Sequence, residues 1–352
     1  MRFDRRALLM GGLCGLSAGC AAYPPSFYHN ASLRELVEMH TSPFYAGSAV
    51  SARALRHDER YRDVLAWQYN LVTTENALKF RQTHPQRERY TFEEADRIVA
   101  FAERHAQAVR GHTLVWHQSL PDWLTDGNHT RQETLDILQE HIETVAGRYR
   151  GRLYAWDVVN EYFMGDGSLR TDNFWYKQIG ADYIQHAFRW AHQADPDAQL
   201  FYNDYGNHEM NDKSDAIYAW LKQAQEEGLP VHGIGWQMHI RADQPLDLAS
   251  MRENAERLRE LGLELHITEL DIRVELPASE EALIQQAQRY EEVFRFAAEE
   301  CTAIVTWGFT DRYSWVPGFF EGYGAALPYD EDIQPKPAIL RAMREPFLPR
   351  AL

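Results

Sequence analysis

Short apolar and β-branched runs alternate along the chain with longer segments whose apolar residues recur at helical spacing. Eight of the short runs predict strands: Tyr45–Val50, Leu71–Thr74, Ala108–Trp116, Leu153–Val159, Gln199–Asn203, Gly233–Met238, Leu263–Thr268 and Ala303–Gly308. The clearest helical segments are Phe92–His105, Arg131–Tyr149, Asp182–Ala194, Ser214–Glu227, Asp247–Leu261 and Ser279–Ala298. Ser214, Asp247 and Ser279 are residues that typically cap a helix N-terminus, and we predict that they do so here.

Strands that alternate with helices imply a parallel sheet, and eight such units predict an α/β fold of the (β/α)8, or TIM-barrel, type. An open doubly wound sheet is the alternative, but no GxGxxG sequence follows the first strand. No linker rich in proline, serine or glycine interrupts the chain after about residue 30. We therefore predict a single domain over residues 31–352.

Polar side chains collect where the predicted strands end. They occur in Glu75-Asn76, Trp116-His117, Asn160-Glu161, Asn203-Asp204-Tyr205, Gln237-Met238-His239, Glu269-Leu270-Asp271, and Trp307 with Asp311. One polar strand end would only mark where a strand stops. Seven of them favour a site, because barrel active sites lie at the carboxyl ends of the strands.

Two glutamates at these strand ends are the strongest candidates for chemistry. Glu161 closes Trp156–Glu161, and Glu269 lies within Ile267–Asp271. Each follows a short apolar or β-branched run and comes just before a loop. Hydrolysis of a glycosidic bond uses two carboxylates placed in this way across one site.

Composition narrows the class of substrate. The net charge is −16, and no cluster of lysine or arginine occurs beyond the first six residues, which argues against a nucleic-acid partner and favours a neutral substrate. Ten tryptophans and eighteen tyrosines fit a groove in which aromatic rings stack on sugars, and they fit an aromatic core equally well.

The first twenty residues predict an export signal: basic residues, then an apolar run too short to span a bilayer, then small residues. The segment Leu16–Cys20 resembles a bacterial lipoprotein signal with Cys20 as the lipidated residue, and an ordinary signal cleaved near Ala21 is the alternative. Residues 21–30 would then be a tether, and the protein periplasmic, anchored at the outer membrane or secreted. Cys301 is the one cysteine left for the body of the chain, so we expect neither a disulfide nor a zinc site there.

Five segments resemble glycoside hydrolase family 10, whose members are mostly endo-β-1,4-xylanases, over roughly residues 40–340. The segments are Thr74–Phe80, Arg110–His117, Trp156–Glu161, Thr268–Asp271, and Trp307–Tyr313 with Trp315. The resemblance implies a TIM barrel that hydrolyses xylan or xylooligosaccharides through a glycosyl-enzyme, with retention of configuration. We expect no cofactor and no metal. A monomer is the default expectation, with membrane contact only through the possible N-terminal lipid anchor.

The resemblance also assigns roles at the centre of the site. Glu161 would be the acid/base and Glu269 the nucleophile, with carboxyl groups about 5–5.5 Å apart, as in retaining enzymes. Asn160 would donate to the 2-hydroxyl of the sugar being cleaved. His239 would orient the nucleophile, and Asp271 would hold the tautomer of the imidazole.

Further residues match the family's grip on the substrate. Those expected on the non-reducing side of the cut are Glu75, Asn76, Lys79, His112 and Trp116, with Trp307 and Trp315 as roof and wall. Gln237 would donate to Glu161 or to the nucleophile, and Tyr205 would stack on the leaving side. The chain departs from the family in having Phe80 where a tryptophan is usual. It also has Gln118-Ser119 where many relatives place glutamine second.

The sequence leaves three alternative functions to weigh. A metal-dependent hydrolase could use as ligands His112, His117, His239, Glu161 and Asp271, but no two-histidine motif precedes a metal-type carboxylate. A glycan-binding barrel without activity would lack one of the two glutamates, and both are present. A retaining β-1,4-glucanase stays open as an alternative, because glucan differs from xylan in carrying a C6 hydroxymethyl group and the sequence does not show whether the site has room for it. We expect Lys79, Trp307 and Trp315 to crowd that group.

Overall fold

The computed structural model describes residues 31–40 and 42–348. The predicted export signal, Cys20 and the tether over 21–30 lie outside the described residues. The described chain from Ser32 onward belongs to one compact unit. No helix within the described ranges is both long enough and apolar enough to cross a lipid bilayer.

Within the described ranges the strands form one closed barrel with two short additions. In chain order, β1 to β10 are Tyr45–Ala49, Leu71–Thr73, Ala108–Trp116, Ala155–Asn160, Gln199–Asp204, Gly233–Trp236, His239–Arg241, Glu264–Glu275, Ala303–Thr306 and Tyr323–Gly324. Parallel pairing runs β1–β2–β3–β4–β5–β6–β8–β9, and β9 pairs back with β1. The predicted (β/α)8 barrel is confirmed.

Helices surround this barrel. In chain order, α1 to α14 are Leu33–Glu38, Ala52–His57, Glu59–Gln68, Phe80–Thr83, Glu93–Arg104, Asp122–Thr125, Arg131–Arg148, Phe174–Gln178, Tyr183–Ala194, Asp212–Glu226, Leu248–Glu260, Glu280–Glu300, Val316–Phe319 and Pro337–Arg344. Two short 3-10 turns also lie within the described ranges, Asp311–Tyr313 before α13 and Glu345–Phe347 after α14. Helix α5 illustrates the pattern: it begins with acidic residues and buries Ala95, Ile98, Val99 and Ala102, which share one face.

Most predicted strands have a bound that is wrong by one or two residues: Leu153–Val159 is observed as Ala155–Asn160, and Ala303–Gly308 ends at Thr306. The ends of β6 and β8 matter most, because they lie beside the groove described below. Strand β6 ends at Trp236 rather than Met238, because Met238 has a positive φ of 60° that breaks the extended chain. Strand β8 continues past Thr268 to Glu275, because its second half pairs with β7 on one side and β10 on the other.

The predicted N-caps divide two to one. Asp247 accepts from the Ser250 N–H at 3.0 Å, and Ser279 accepts from the Ala282 N–H at 3.1 Å, so both cap their helices as predicted. Ser214 was predicted wrongly. The cap is Asn211, which accepts from the Ser214 N–H while its own N–H donates to Ser214 Oγ, each at 2.9 Å.

Charged residues occupy the barrel interior below the carboxyl ends of the strands. Arg110 and Asp157 are buried and form a bidentate ion pair. The guanidinium also lies 2.7 Å from His266 Nδ1, and Asp157 Oδ2 lies 2.9 Å from His112 Nδ1. Burying an unpaired charge destabilises a folded protein by several kcal/mol. These pairings therefore allow charged side chains to remain in the barrel interior, next to the residues of the site.

Candidate active site

A groove of about 880 Å³ crosses the carboxyl ends of the barrel strands. Eleven of the fourteen predicted site residues line it: Lys79, His112, Trp116, Asn160, Glu161, Tyr205, Gln237, His239, Glu269, Trp307 and Trp315. Asp271 lies behind His239, fully buried. Glu75 and Asn76 adjoin Lys79 at one end.

Glu161 stands at the end of β4 with a backbone conformation that few residues other than glycine adopt. Its φ is 61°, and the strain is held by two hydrogen bonds: its N–H donates to Asn203 O at 3.0 Å, and Arg170 Nε donates to its carbonyl at 3.1 Å. Gln237 Nε2 donates to the carboxylate at 3.1 Å, and His117 Nδ1 lies 3.8 Å from its other oxygen. The side chain is 13% exposed, enough to meet a bound substrate.

Glu269 lies on β8, nearly buried, with both carboxylate oxygens in contact with a nitrogen. Asn203 Nδ2 donates to Oε1 at 2.7 Å, and His239 Nε2 lies 3.2 Å from Oε2. Burial would raise the pKa of Glu269, but the imidazole of His112 and the hydrogen bond from His239 outweigh burial and hold that pKa below its usual value. The carboxylate is therefore ionised at neutral pH, as a nucleophile must be.

Three amides connect the two carboxylates. Gln237 Nε2 lies 3.1 Å from both Glu161 Oε1 and the side-chain amide of Asn160. Asn203 Nδ2 lies 2.9 Å from the side-chain amide of Asn160 and 2.7 Å from Glu269 Oε1. A bridge of side-chain amides therefore fixes the separation and the orientation of the two acids.

Asn203 is the member of this bridge that was not predicted as a site residue. Its amide oxygen accepts from Thr268 Oγ1 at 2.6 Å, which turns the amide N–H groups toward Asn160 and Glu269. Gly235 makes room for it, because a Cβ at that position would lie 2.1 Å from Asn203 Oδ1. The only signal in the sequence was the place of Asn203 at a strand end.

His239 lies between two carboxylates. Its Nδ1 is 2.7 Å from Asp271 Oδ2, and its Nε2 is 3.2 Å from Glu269 Oε2, as the register of β7 against β8 requires. Trp315 Nε1 donates to the same Asp271 oxygen at 2.8 Å. Burial would lower the pKa of His239, but the two carboxylates, Asp271 above all, raise it to about 10. The imidazole is thus protonated at neutral pH and donates to both acids.

One end of the groove combines a cation with aromatic rings. Lys79 Nζ donates to Asn76 Oδ1 at 2.8 Å and lies 4.8 Å from the centre of the Trp116 ring. Asn76 Nδ2 donates to Glu75 Oε1 at 3.0 Å. Burial raises the pKa of Glu75, and burial lowers the pKa of Lys79 although neighbouring carboxylates oppose the shift. Trp307 meets His112 edge to face at 5.0 Å, between this end and the nucleophile.

Tyr205 marks the other end, and two cations that were not predicted hold it. Lys213 Nζ lies 3.5 Å from the centre of its ring, and Arg170 Nη2 donates to its hydroxyl at 3.1 Å. Lys213 is buried and paired with Asp204 at 2.7 Å. The residue as a whole remains 37% exposed, so part of it is open to a ligand in the groove.

The two departures from the family pattern have different surroundings. Phe80 is buried and stacks on His141 with ring centres 3.7 Å apart, so it packs in the core. Gln118 lines the groove, whereas Ser119 turns away and donates from Oγ to Gln82 Oε1 at 3.0 Å. The glutamine therefore meets the groove one position earlier than in many relatives.

Comparison with known proteins agrees with this geometry. Residues 32–345 match the profile of Glycosyl hydrolase family 10. The chain belongs to that family. Endo-1,4-beta-xylanase B of Thermotoga neapolitana is 45% identical to this family 10 chain over 290 residues, which are 82% of this chain and 83% of that protein.

Solved structures show the same likeness in three dimensions. Native xylanase 10B from Thermotoga maritima superposes with a TM-score of 0.86 at 46% identity, and the match covers 90% of this family 10 chain and 98% of that one. Xylanase 10B from Thermotoga petrophila RKU-1, solved in complex with xylobiose, gives 0.86 at 45% identity, with coverage of 90% and 97%.

Proposed function

We propose that this family 10 hydrolase is an endo-1,4-β-xylanase that cleaves internal β-1,4-xylosidic bonds of xylan or xylooligosaccharides with retention of configuration. The observation that carries the proposal is the pair Glu161 and Glu269, held across one open groove by a bridge of amides. The xylanases to which the chain is similar over most of its length support the choice of sugar.

In the first step, Glu161 would give its proton to the glycosidic oxygen while a Glu269 oxygen attacks the anomeric carbon. The bond from that carbon to the leaving sugar breaks, and a bond to the Glu269 carboxylate forms. In the second step, Glu161 takes a proton from water, whose oxygen attacks the same carbon and releases Glu269. Two inversions at one carbon restore the β configuration.

The surrounding residues would serve these steps through charge and position. The protonated His239, held by Asp271, would keep Glu269 ionised and fix which oxygen faces the sugar. Asn160 lies beside Glu161 and contacts Asn203, which in turn donates to Glu269. From there its amide could donate to the 2-hydroxyl of the reacting sugar, a contact that strengthens in the transition state. Each role rests on geometry and on the likeness to the family.

Binding of the sugar chain would use both ends of the groove. The sugars on the non-reducing side of the cut would be held by Glu75, Asn76, Lys79, Trp116, Trp307 and Trp315. Tyr205 would stack on the sugar of the leaving side. The crowding of Lys79 between Trp116 and Trp307, at 4.8 and 6.0 Å, supports a sugar without a C6 hydroxymethyl group.

Hydrolysis of xylohexaose and of cellohexaose, compared at equal concentration, tests the function. We expect xylobiose and xylotriose from xylohexaose and little product from cellohexaose, with activity lost in both Glu161→Gln and Glu269→Gln. Equal cleavage of both hexaoses would instead make the protein a broad β-1,4-glycanase. Cleavage of neither by folded protein would overturn the proposal.

Export and anchoring are a further part of this proposal, and they rest on the sequence alone. We take residues 1–20 as an export signal, with Cys20 as the lipidated first residue of the mature protein. Intact mass measurement of protein purified from bacterial membranes provides the test. A diacylglyceryl-cysteine at residue 20 is expected, and a chain that starts at Ala21 or Ala22 without lipid would refute anchoring. Gel filtration of the same material tests the expected monomer.

A further inference from the structure

Phe319 forms part of the groove wall although 69% of its surface is exposed. It ends the short helix α13, in the segment that joins β9 to β10. Single exposed apolar residues are common on protein surfaces, so exposure by itself does not indicate a site. Here a site is indicated by two further observations: neighbouring side chains support the Phe319 ring, and the ring lines the groove.

The segment that carries Phe319 is rigidly built. Val316, Ala326 and Leu327 form a small buried cluster, and Phe320 and Trp315 pack against it. The Phe319 ring lies 4.9 Å from the centre of the Trp315 ring and 4.9 Å from that of Phe320. An aromatic face held in advance by its neighbours binds a ligand with little loss of side-chain freedom.

The position of this segment places Phe319 in the leaving-group half. The Arg273 guanidinium lies 3.8 Å from the centre of the Phe320 ring and donates to the carbonyls of His239 and Ile240. The chain that continues from these residues carries Gln244–Leu246 along the groove to Asp247, whose N–H donates to Glu209 Oε1 at 2.9 Å. Glu209 lines the groove in the loop that follows Tyr205, the residue expected on the leaving side.

We infer that Phe319 is an aromatic platform for the second sugar on the leaving side of the cut, and that it helps decide which bond is cleaved. Pyranose rings present flat faces of C–H groups, which favour contact with an aromatic ring. Pro245 and Leu246 also line the groove and add to its apolar surface. The inference rests on the proposed function and adds one binding position to it.

Xylotetraose labelled with ¹⁸O at its reducing end provides the test. Cleavage of the middle bond places two sugars on the leaving side and releases labelled xylobiose. Cleavage of the last bond places one sugar there and releases labelled xylose. In Phe319→Ala the ratio of labelled xylobiose to labelled xylose should fall about fivefold, since only the first binding mode loses the contact. Phe319→Trp, which keeps a platform, should retain the wild-type ratio.

Ile284→Ala is the matched control, because Ile284 is 53% exposed on α12 and lines a separate hollow. Its ratio should equal that of the wild type. An unchanged ratio in Phe319→Ala would overturn the inference, and a rise would place the ring on the opposite side of the cut. Failure of the folded wild-type protein to cleave both xylotetraose and xylohexaose would refute the proposed function itself, which separates the two outcomes.

Discussion

His239 donates a hydrogen bond from each ring nitrogen to a carboxylate, at 2.7 Å to Asp271 and at 3.2 Å to Glu269. The arrangement couples the charge of the proposed nucleophile to a residue that does not line the groove. Asp271 is the largest contributor to the high pKa of His239, which is raised to about 10. Removing the Asp271 charge should therefore change the protonation of His239 first and the chemistry second.

Asp271→Asn should lower kcat about 10- to 100-fold and lower the pKa of His239 from its raised value, because the imidazolium loses its stronger partner. NMR titration of the His239 imidazole between pH 5 and 11 measures the pKa directly, apart from the pH–rate profile, in which loss of the Glu161 proton also lowers activity. His239→Gln serves as the control, since the titrating imidazole signal should be missing from its spectrum. An unchanged pKa of His239 in Asp271→Asn would contradict the coupling.

The same pair predicts how stability depends on pH. Because the folded-state pKa of His239 is raised above its ordinary value of 6.5 to about 10, its stabilising contribution is fully present below about pH 6.5 and is lost as pH rises toward 10. Thermal unfolding at pH 6, 8 and 10 should show this loss in the wild type. In His239→Gln the decline over that range should be smaller, and an equal decline in both proteins would refute the assignment.

Asn203→Ala should reduce kcat without a matching change in KM. The substitution removes the hydrogen bond to Glu269 Oε1 and the contact with the Asn160 amide, which together hold the bridge between the acids. A loss of about 10- to 100-fold corresponds to the roughly 1.5–3 kcal/mol of a hydrogen bond to a charged group. Thr268→Ser keeps a hydroxyl near Asn203 Oδ1 and should retain most activity. Equal losses in the two variants would show that the bridge has no special role.

Gly235→Ala should destabilise the protein by about 1–3 kcal/mol. The new Cβ would lie 2.1 Å from Asn203 Oδ1 and 2.8 Å from Thr268 Cγ2, so the neighbouring strands would have to move. Gly147→Ala is the control, because nothing lies within 4 Å of a Cβ built there, near the end of α7, and alanine should be neutral or mildly stabilising. Urea unfolding of both variants gives the comparison.

The alternation of apolar runs with helical segments was enough to predict the barrel and the places of Glu161 and Glu269. Parallel strands in a barrel bring their carboxyl ends to one face. Residues at those ends could therefore be assigned to one site from the sequence, although they are distant along the chain. The ends of β6 and β8 were harder, because Met238 breaks one strand through its backbone and β8 is extended by partners formed from other segments.

Residues whose importance comes from tertiary contacts were missed for the same reason. Asn203 looks like an ordinary strand end until Thr268 and Gly235 fix the direction of its amide. Lys213 lies in a helix and gives no sign in the sequence that it will sit under Tyr205. Loops and helix faces have no period that predicts which side chain reaches a groove.

Replacing each acid by alanine and adding azide would test which of the two is the nucleophile. In Glu161→Ala, Glu269 can still form the glycosyl-enzyme from a substrate with a good leaving group, and azide then displaces it to give a β-xylosyl azide. In Glu269→Ala, azide attacks the sugar directly in one inversion, which gives the α anomer. Proton NMR of the two products distinguishes the anomers. The wild-type enzyme is the control, and azide should not raise its rate. Formation of the α product by Glu161→Ala would reverse the assignment of the two glutamates.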